Sequence, residues 1–286
     1  MTLAHAHPGP AAGPGLWEPV AVAVAMVTVA CWAAGATRLR RRGDHWPWWR
    51  DVSFTAGCTG AAWAVAGPLP GGPFTAHMVQ HVAVGMAAPL LLVVARPLTL
   101  ALRALPPGPA RRALPALAHS RVAGPLLFPP LAALLDVGGL WLLYRTDLFA
   151  AVLHEPWLHA AVHAHVLAAG LLFAFTVCGL DPVRRRWGLP LRGATLLAAG
   201  AAHAVLAKTL YAQPPPGTAF AAADLRVGAQ VMYYGGDLAE AALGAVLALT
   251  WYRAGGRARR RRRPATERSG PPAVHGPGRP TLRGAG

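Results

Sequence analysis

The stretch Pro73-Phe-Thr-Ala-His77-Met-Val-Gln80-His81 decides the fold, because it opens a run to Arg96 that is apolar and uncharged apart from His77, Gln80 and His81. Such a run is typical of a membrane-spanning helix, which needs about 20 mostly apolar residues. His77 and His81 are four residues apart, so they share one face of that helix and are separated by one turn. Two imidazoles in this arrangement can reach the same ligand, and the spacing favours a metal ion.

The overall composition is that of a polytopic membrane protein rather than a soluble domain. Hydrophobic residues make up 54% of the chain and charged residues only 13%. The net charge is +16, but the basic residues are confined to a few loops and one tail, which favours orientation in a bilayer over nucleic-acid binding. Cys31, Cys58 and Cys178 lie in separate apolar runs without a Cys-x-x-Cys spacing, so neither a disulfide framework nor a thiolate metal site is indicated.

Apolar segments punctuated by Gly, Pro and Arg predict an all-α fold, a polytopic membrane helix bundle with seven transmembrane helices. The predicted spans are residues 19–35, 51–67, 73–95, 122–144, 156–178, 193–212 and 225–252. They divide the chain into a flexible extracytoplasmic leader, residues 1–16, a seven-helix membrane domain, residues 17–252, and a basic disordered cytoplasmic tail, residues 253–286.

The distribution of basic residues predicts the orientation of the bundle. Of the 27 basic residues, 24 lie in the loops after the first, third and fifth predicted helices or in the C-terminal tail, and the other three are Arg145, Lys208 and Arg226. Cytoplasmic loops carry an excess of Lys and Arg, so the N-terminus is predicted outside and the C-terminus in the cytoplasm, which an odd number of spans requires. The arginine run 259–263 is expected to be drawn to anionic lipid headgroups.

A second His-x-x-x-His pair, His159 and His163, opens the fifth predicted helix. Both pairs lie within roughly 12 Å of the outer surface if Pro73 and Pro156 mark the outer helix ends and each residue rises about 1.5 Å. If the two helices are neighbours, four imidazoles can converge on one site open to the outside. His154 lies on the same side and is a candidate to deliver an ion to that site.

The donor set indicates copper or zinc, because neutral imidazole suits both metals and no carboxylate or thiolate cluster shares the layer. The predicted metal ligands are His77, His81, His159 and His163. Met78 is a candidate accessory ligand that would favour Cu(I), but it is one residue off the His77 face, and packing is its favoured role.

A second set of ionisable residues falls near the predicted mid-membrane depth: Asp136, His203, Asp237 and Glu240. Such groups are costly in hydrocarbon, so they are expected to face the bundle interior and to pair with each other or with Lys208. They are either a structural polar core, which is the favoured interpretation, or an ion or proton path from the histidine site.

Four short stretches form a recognisable set. They are Ala76-His-Met-Val-Gln-His81 with the later Ala88-Pro89, His154-Glu-Pro-Trp-Leu-His159 with His163, Asp181-Pro182 at the end of the fifth helix, and Gly236-Asp-Leu238 in the last. Together they resemble the seven-helix CtaG family of cytochrome c oxidase assembly proteins, the type associated with caa3 oxidases. The resemblance covers roughly residues 48–252. The His-Met-x-Gln-His run is its most specific part.

The resemblance implies a non-enzymatic, multi-pass protein of the bacterial plasma membrane that helps to mature a haem-copper oxidase by handling copper. Its implied partners are an oxidase subunit and membrane lipid, and a homodimer is left open. His77 and His81 are carried over from the family motif, and His159 and His163 with them. The chain departs from the family pattern after Pro89, where a second proline often follows, and this affects helix bending more than ligand chemistry.

Two alternatives remain open. A haem-binding electron carrier would also use paired histidines on facing helices, and a copper transporter would need a continuous path through Asp136, His203 and Asp237. The sequence contains no P-loop, no Gly-x-Ser-x-Gly elbow and no His-Glu-x-x-His motif, so no hydrolytic or group-transfer chemistry is indicated.

Overall fold

The computed structural model describes residues 17–118, 120–121, 123–182 and 187–262, and within these ranges the chain is helical and contains no strand. The predicted all-α fold is therefore confirmed for the described residues. The predicted leader, residues 1–16, and residues 263–286 of the predicted tail lie outside them.

The helices follow one another with short connections. They are α1 Trp17–Arg41, α2 Trp48–Ala66, α3 Pro73–His81, α4 Ala88–Ala95, α5 Pro97–Ala104, α6 Pro109–Ala118, α7 Ala123–Leu126, α8 Pro129–Ala133, α9 Gly139–Arg145, α10 Leu148–His154, α11 Pro156–Cys178, α12 Leu189–Ala212 and α13 Ala222–Arg262. Two π-helical segments, Val82–Ala87 and Leu134–Gly138, join α3 to α4 and α8 to α9.

Four stretches of the described chain are long and apolar enough to cross a membrane. They are Trp17–Arg41, Pro73–Ala104, Pro156–Cys178 and Leu189–Ala212. They match the first, third, fifth and sixth predicted spans and support the membrane character of the fold. The second, fourth and seventh predicted spans are helical in large part, and their crossing of the membrane stays a prediction.

Prolines account for two departures from the predicted helix bounds. The fourth predicted helix, 122–144, is not continuous, because Pro129 and Pro130 lack an N–H and hold Phe128 in an extended conformation (ψ 117°). The third predicted helix ends at residue 95 as expected, but a further helix follows it almost directly. Arg96 adopts a left-handed conformation (φ 64°) in front of Pro97, and the chain then continues as α5.

The last helix extends past its predicted end at residue 252 and reaches Arg262. Residues 253–262, predicted to begin the disordered tail, therefore continue α13. Arg and Ala are strong helix formers, and cations at a helix C-terminus interact favourably with the helix dipole.

The crossing of α11 over the third span places the histidine helices side by side. Pro89 has no N–H to donate to the Gly85 carbonyl, and the helix adopts π geometry over Val82–Ala87. Gly170 of α11 packs directly on this region: a Cβ added there would overlap the Gly85 carbonyl oxygen and lie 3.1 Å from Pro89 Cγ. The close approach of α11 to the third span thus depends on glycine at position 170.

The N-terminus of α3 is held by Asp224, near the start of α13. The Asp224 carboxylate accepts hydrogen bonds from the Phe74 N–H at 2.9 Å, the Thr75 N–H at 3.0 Å and the Thr75 hydroxyl at 2.6 Å. These are donors that no residue of α3 itself can satisfy. Asp224 therefore fixes the N-terminal end of α3 and with it the position of His77, one turn further along the helix.

We expect Asp224→Ala to lower the free energy of unfolding by about 1–2 kcal/mol, the usual cost of losing a helix cap. Thermal unfolding in detergent should detect the change as a lower Tm. Asp147→Ala is the matched control, because Asp147 precedes α10 without a capping hydrogen bond. Equal Tm values for the two variants would show that Asp224 does not hold α3.

Candidate metal centre

His163 of α11 lies beside both His77 of α3 and His159 of α11 near the N-terminal ends of these helices, and we call the three residues the outer histidine cluster after their predicted side of the membrane. The ring centroids of His77 and His163 are 6.3 Å apart with perpendicular planes. The His159 and His163 rings stack at 4.2 Å. The two helices are therefore neighbours, and their histidines face each other across the contact, as the site prediction requires. Metal ligation by these residues stays a prediction.

Two rings of the outer histidine cluster have one nitrogen engaged by a defined partner. His163 Nδ1 donates to the backbone carbonyl oxygen of His159 at 2.8 Å, which leaves the lone pair on its Nε2. His77 Nε2 is hydrogen-bonded to the Tyr144 hydroxyl at 2.9 Å. Metal-ligating histidines commonly have the second nitrogen held in this way, which fixes the tautomer and the ring orientation.

The cluster lies between a buried aromatic core and a more open groove. The Phe149 ring is 4.7 Å from the His77 ring, and Tyr144 and Phe149 are fully buried. On the other side, His159 and His163 border a groove of about 340 Å³ whose walls are mostly apolar. Its lining includes Trp17, Val24, Cys58, Leu92 and Leu167. An ion at the cluster would thus have protein on one side and an approach along α1 and α11 on the other.

His81 lies one turn deeper and belongs to a different group. Its ring centroid is 6.0 Å from that of His203 in α12 and 6.4 Å from that of Tyr144. The four predicted ligands therefore do not form one compact group, because the rise of one turn, about 5.4 Å, carries His81 past the outer histidine cluster. Sequence spacing within α3 could not show that α12 supplies the closest imidazole to His81.

The inner ionisable residues take up different positions. His203 is 2% exposed, and its Nδ1 lies 3.6 Å from Glu240 Oε1 of α13, which agrees with the expected interior pairing. Asp136 is partly buried in the second π-helical segment, whereas Asp237 is exposed beside Leu238 on α13. Of the four, Asp237 alone is exposed, so the expectation of an interior position is wrong for that residue.

Lys208 does not join the acidic side chains. Its Nζ lies over the Tyr233 ring, 5.4 Å from the centroid. Met78 is fully buried in a core with Phe74 and Tyr144, which agrees with packing as its role. His154 is exposed at the end of α10.

Tyr144 is the residue of this site that sequence reasoning did not identify. It follows an apolar helix in the run Trp141-Leu-Leu-Tyr144, where a tyrosine is typical of a membrane interface. Only the packing of α9 on α3 shows that its hydroxyl reaches His77.

Within the described ranges, no group of three or more His, Cys, Asp or Glu side chains is close enough to hold a metal ion. The arrangement instead consists of imidazoles in pairs, His77 with His163 and His81 with His203. Pairs of neutral imidazoles suit an ion of low coordination number, a preference of Cu(I), whereas structural zinc is usually held by four ligands.

Comparison with known proteins identifies the family. The family model described as cytochrome c oxidase caa3 assembly factor matches residues 30–254. Uncharacterized proteins of Mycobacterium bovis and Mycobacterium tuberculosis are each 36% identical over 191 residues, which are 64% of this chain and 29% of the relative. One of Mycobacterium leprae is 35% identical over 174 residues, 57% of this chain and 26% of the relative.

The chain spans less than a third of the length of these curated relatives. No solved structure matches it. The matched region runs from α1 into α13 and contains every helix that contributes to the two histidine groups. On this match, the chain belongs to the family of caa3-type cytochrome c oxidase assembly factors.

Proposed function

We propose that the protein binds copper at the outer histidine cluster and delivers it to a subunit of a cytochrome c oxidase. The proposal rests mainly on one observation: the rings of His77 in α3 and His163 in α11 lie 6.3 Å apart, centroid to centroid. Both rings have their other nitrogen engaged, by Tyr144 and by the His159 carbonyl. The family supplies the recipient, an oxidase under assembly.

The chemistry of the cluster suits a copper ion that is cargo. Imidazole binds copper well, and a cluster of two or three rings without thiolate allows the ion to leave by exchange of one ligand at a time. The groove beside His159 and His163 gives a recipient protein access to those rings. The chain thus acts as a carrier in the membrane and not as an enzyme.

The proposed topology has seven spans in the bacterial plasma membrane, with the N-terminus outside and the C-terminus in the cytoplasm. The basic side chains support it, since Arg38, Arg40 and Arg41 end α1 and Arg253 lies near the end of α13. In this orientation the outer histidine cluster faces the extracytoplasmic side. Copper would then be received and released outside the cytoplasm.

Metal analysis and a visible spectrum of the purified protein test the proposal. We expect bound copper without a Soret band, and a strain lacking the protein should contain oxidase with a reduced copper content. A Soret band together with absence of copper would support the haem-binding electron carrier instead. Copper accumulation inside sealed vesicles containing the protein would support a transporter and contradict simple delivery at the outer face.

Tyr144→Phe tests whether the phenol supports a metal-binding His77. The change removes one hydroxyl from a fully buried ring and so loses the 2.9 Å hydrogen bond to His77 Nε2 with little effect on packing. Loss of such a partner typically lowers metal affinity about 10- to 100-fold. Competition with a chromophoric copper chelator measures the Kd. Tyr234→Phe is the control, because Tyr234 is 67% exposed, and equal Kd values would exclude a supporting role for Tyr144.

A further inference from the structure

A second pair of imidazoles, which we call the inner pair, lies deeper in the bundle than the outer histidine cluster. It consists of His81 of α3 and His203 of α12, with ring centroids 6.0 Å apart and planes inclined by 31°. Their exposed fractions are 6% and 2%. Two different helices therefore present buried histidine rings to each other at this level.

The inner pair has unsatisfied nitrogens. His81 Nε2 and His203 Nε2 are both buried and have no hydrogen-bond partner. A buried polar atom without a partner costs about 1–3 kcal/mol, so two such atoms in one pair need an explanation. A ligand that accepts a lone pair from each nitrogen would remove both penalties.

The glycines around the pair make room for the rings. A Cβ at Gly236 of α13 would overlap His203 Cε1 and lie 2.6 Å from His203 Nδ1. A Cβ at Gly85 in the first π-helical segment would lie 3.4 Å from His81 Cε1. The backbone thus approaches both imidazoles closely and limits their movement.

The separation of the rings matches a bridging metal ion. Two metal–nitrogen bonds of about 2 Å each, added to the distance from each ring centre to its own nitrogen, give about 6 Å between ring centres. Rings in direct contact, without an ion between them, would have centroids closer together than 6.0 Å. A divalent ion at such a site would usually recruit further ligands, whereas Cu(I) is stable between two nitrogens.

Glu240 supplies the remaining element of such a site. Its Oε1 lies 3.6 Å from His203 Nδ1, on the opposite side of the ring from Nε2. A carboxylate behind a ligating histidine fixes its tautomer and strengthens it as a ligand. The negative charge also balances a monovalent cation, which lowers the cost of burying either group in the membrane.

From these observations we propose that His81 and His203 form an inner Cu(I) site, distinct from the outer histidine cluster, with Glu240 as a positioning residue. The inner site rests on the proposed function for its source of copper. It would be a second copper-binding site, one helical turn deeper than the outer histidine cluster. The ion would be held by the two Nε2 atoms, which are the nitrogens of the pair without a hydrogen-bond partner.

The test is an anaerobic Cu(I) titration of the full-length protein in detergent, with a chromophoric chelator as competitor, followed by X-ray absorption of the bound copper. The wild type is expected to bind one Cu(I) at the inner pair in addition to any at the outer cluster. His163→Ala should retain a Cu(I) with two nitrogen ligands in linear geometry. His203→Ala should lose that signal and one equivalent of copper. His45→Ala, a change at an exposed loop histidine, is the control.

Comparing the wild type with the His163→Ala and His203→Ala variants distinguishes failure of the inner site from failure of the proposed function. Linear Cu(I) retained in His163→Ala, with no second equivalent in the wild type, supports the inner site and contradicts the outer one. Equal copper content in His203→Ala and wild type overturns the inner site, as does loss of all copper from folded His203→Ala, since the sites would then be one.

Two further measurements cover a variant that fails to fold, as judged by gel filtration and circular dichroism. Glu240→Gln retains the side-chain shape, and we expect it to weaken the inner site about 10- to 100-fold without changing the stoichiometry. Absence of a linear two-nitrogen signal from the copper-loaded wild type overturns the inference without any variant. The inner pair would then be a water-bridged polar contact.

Discussion

Replacing His77 and His163 together by alanine is expected to abolish copper binding at the outer histidine cluster. Each ring comes from a different helix, and each has one nitrogen engaged, by Tyr144 or by the His159 carbonyl, so that the other nitrogen is the candidate ligand. Removing both leaves only His159, and a single imidazole cannot hold copper against cellular competitors. Oxidase activity of a complemented deletion strain should then fall to the level of the deletion.

The matched control for this double variant is His45→Ala, which removes an exposed histidine from the loop between α1 and α2. Equal amounts of each protein in the membrane fraction must be shown by immunoblot, so that lost activity is not lost protein. Full copper content at the outer site in the double variant would contradict the assignment. Restored oxidase activity with added copper would agree with it, because the carrier would then be bypassed.

Gly170→Ala is expected to disrupt the contact between α11 and the third span. The added methyl group would overlap the Gly85 carbonyl oxygen, which belongs to the backbone and cannot move aside as a flexible side chain can. Overpacking of this kind typically costs about 1–3 kcal/mol. Separation of the helices would also move His163 away from His77, so copper affinity should fall together with Tm.

Gly193→Ala provides the matched comparison. Gly193 is also within a long helix, α12, but a Cβ there would have no neighbour within 4 Å. Alanine is the better helix former, so this variant should be as stable as the wild type or slightly more so. If Gly170→Ala had the same Tm and copper affinity as Gly193→Ala, close packing at Gly170 would not determine the site.

The sequence was sufficient to predict the helical class and to place the two histidine pairs at equal depth, but that α3 and α11 are neighbours was a condition of the site prediction, which the structure meets. These follow from two i, i+4 histidine pairs placed at equal depth after Pro73 and Pro156, where helix starts are well marked. The period of the helix alone determined which histidines share a face.

The partners of His81 and His77 could not be predicted in the same way. His203 and Tyr144 come from α12 and α9, and which of several polar residues reaches a given ring depends on how the helices cross. The π-helical segment after His81 also changes the register of α3 against α11, and no periodicity analysis of the sequence reports such a local change.

The attachment of Thr75 to Asp224 has a consequence for biogenesis. The two residues are 149 positions apart, so the ribosome must synthesise all of the chain between α3 and α13 before the start of α3 acquires its anchor. An insertion intermediate that lacks the final helix therefore holds His77 on an untethered segment. It follows that a chain released before α13 is synthesised would lack the anchor that positions His77.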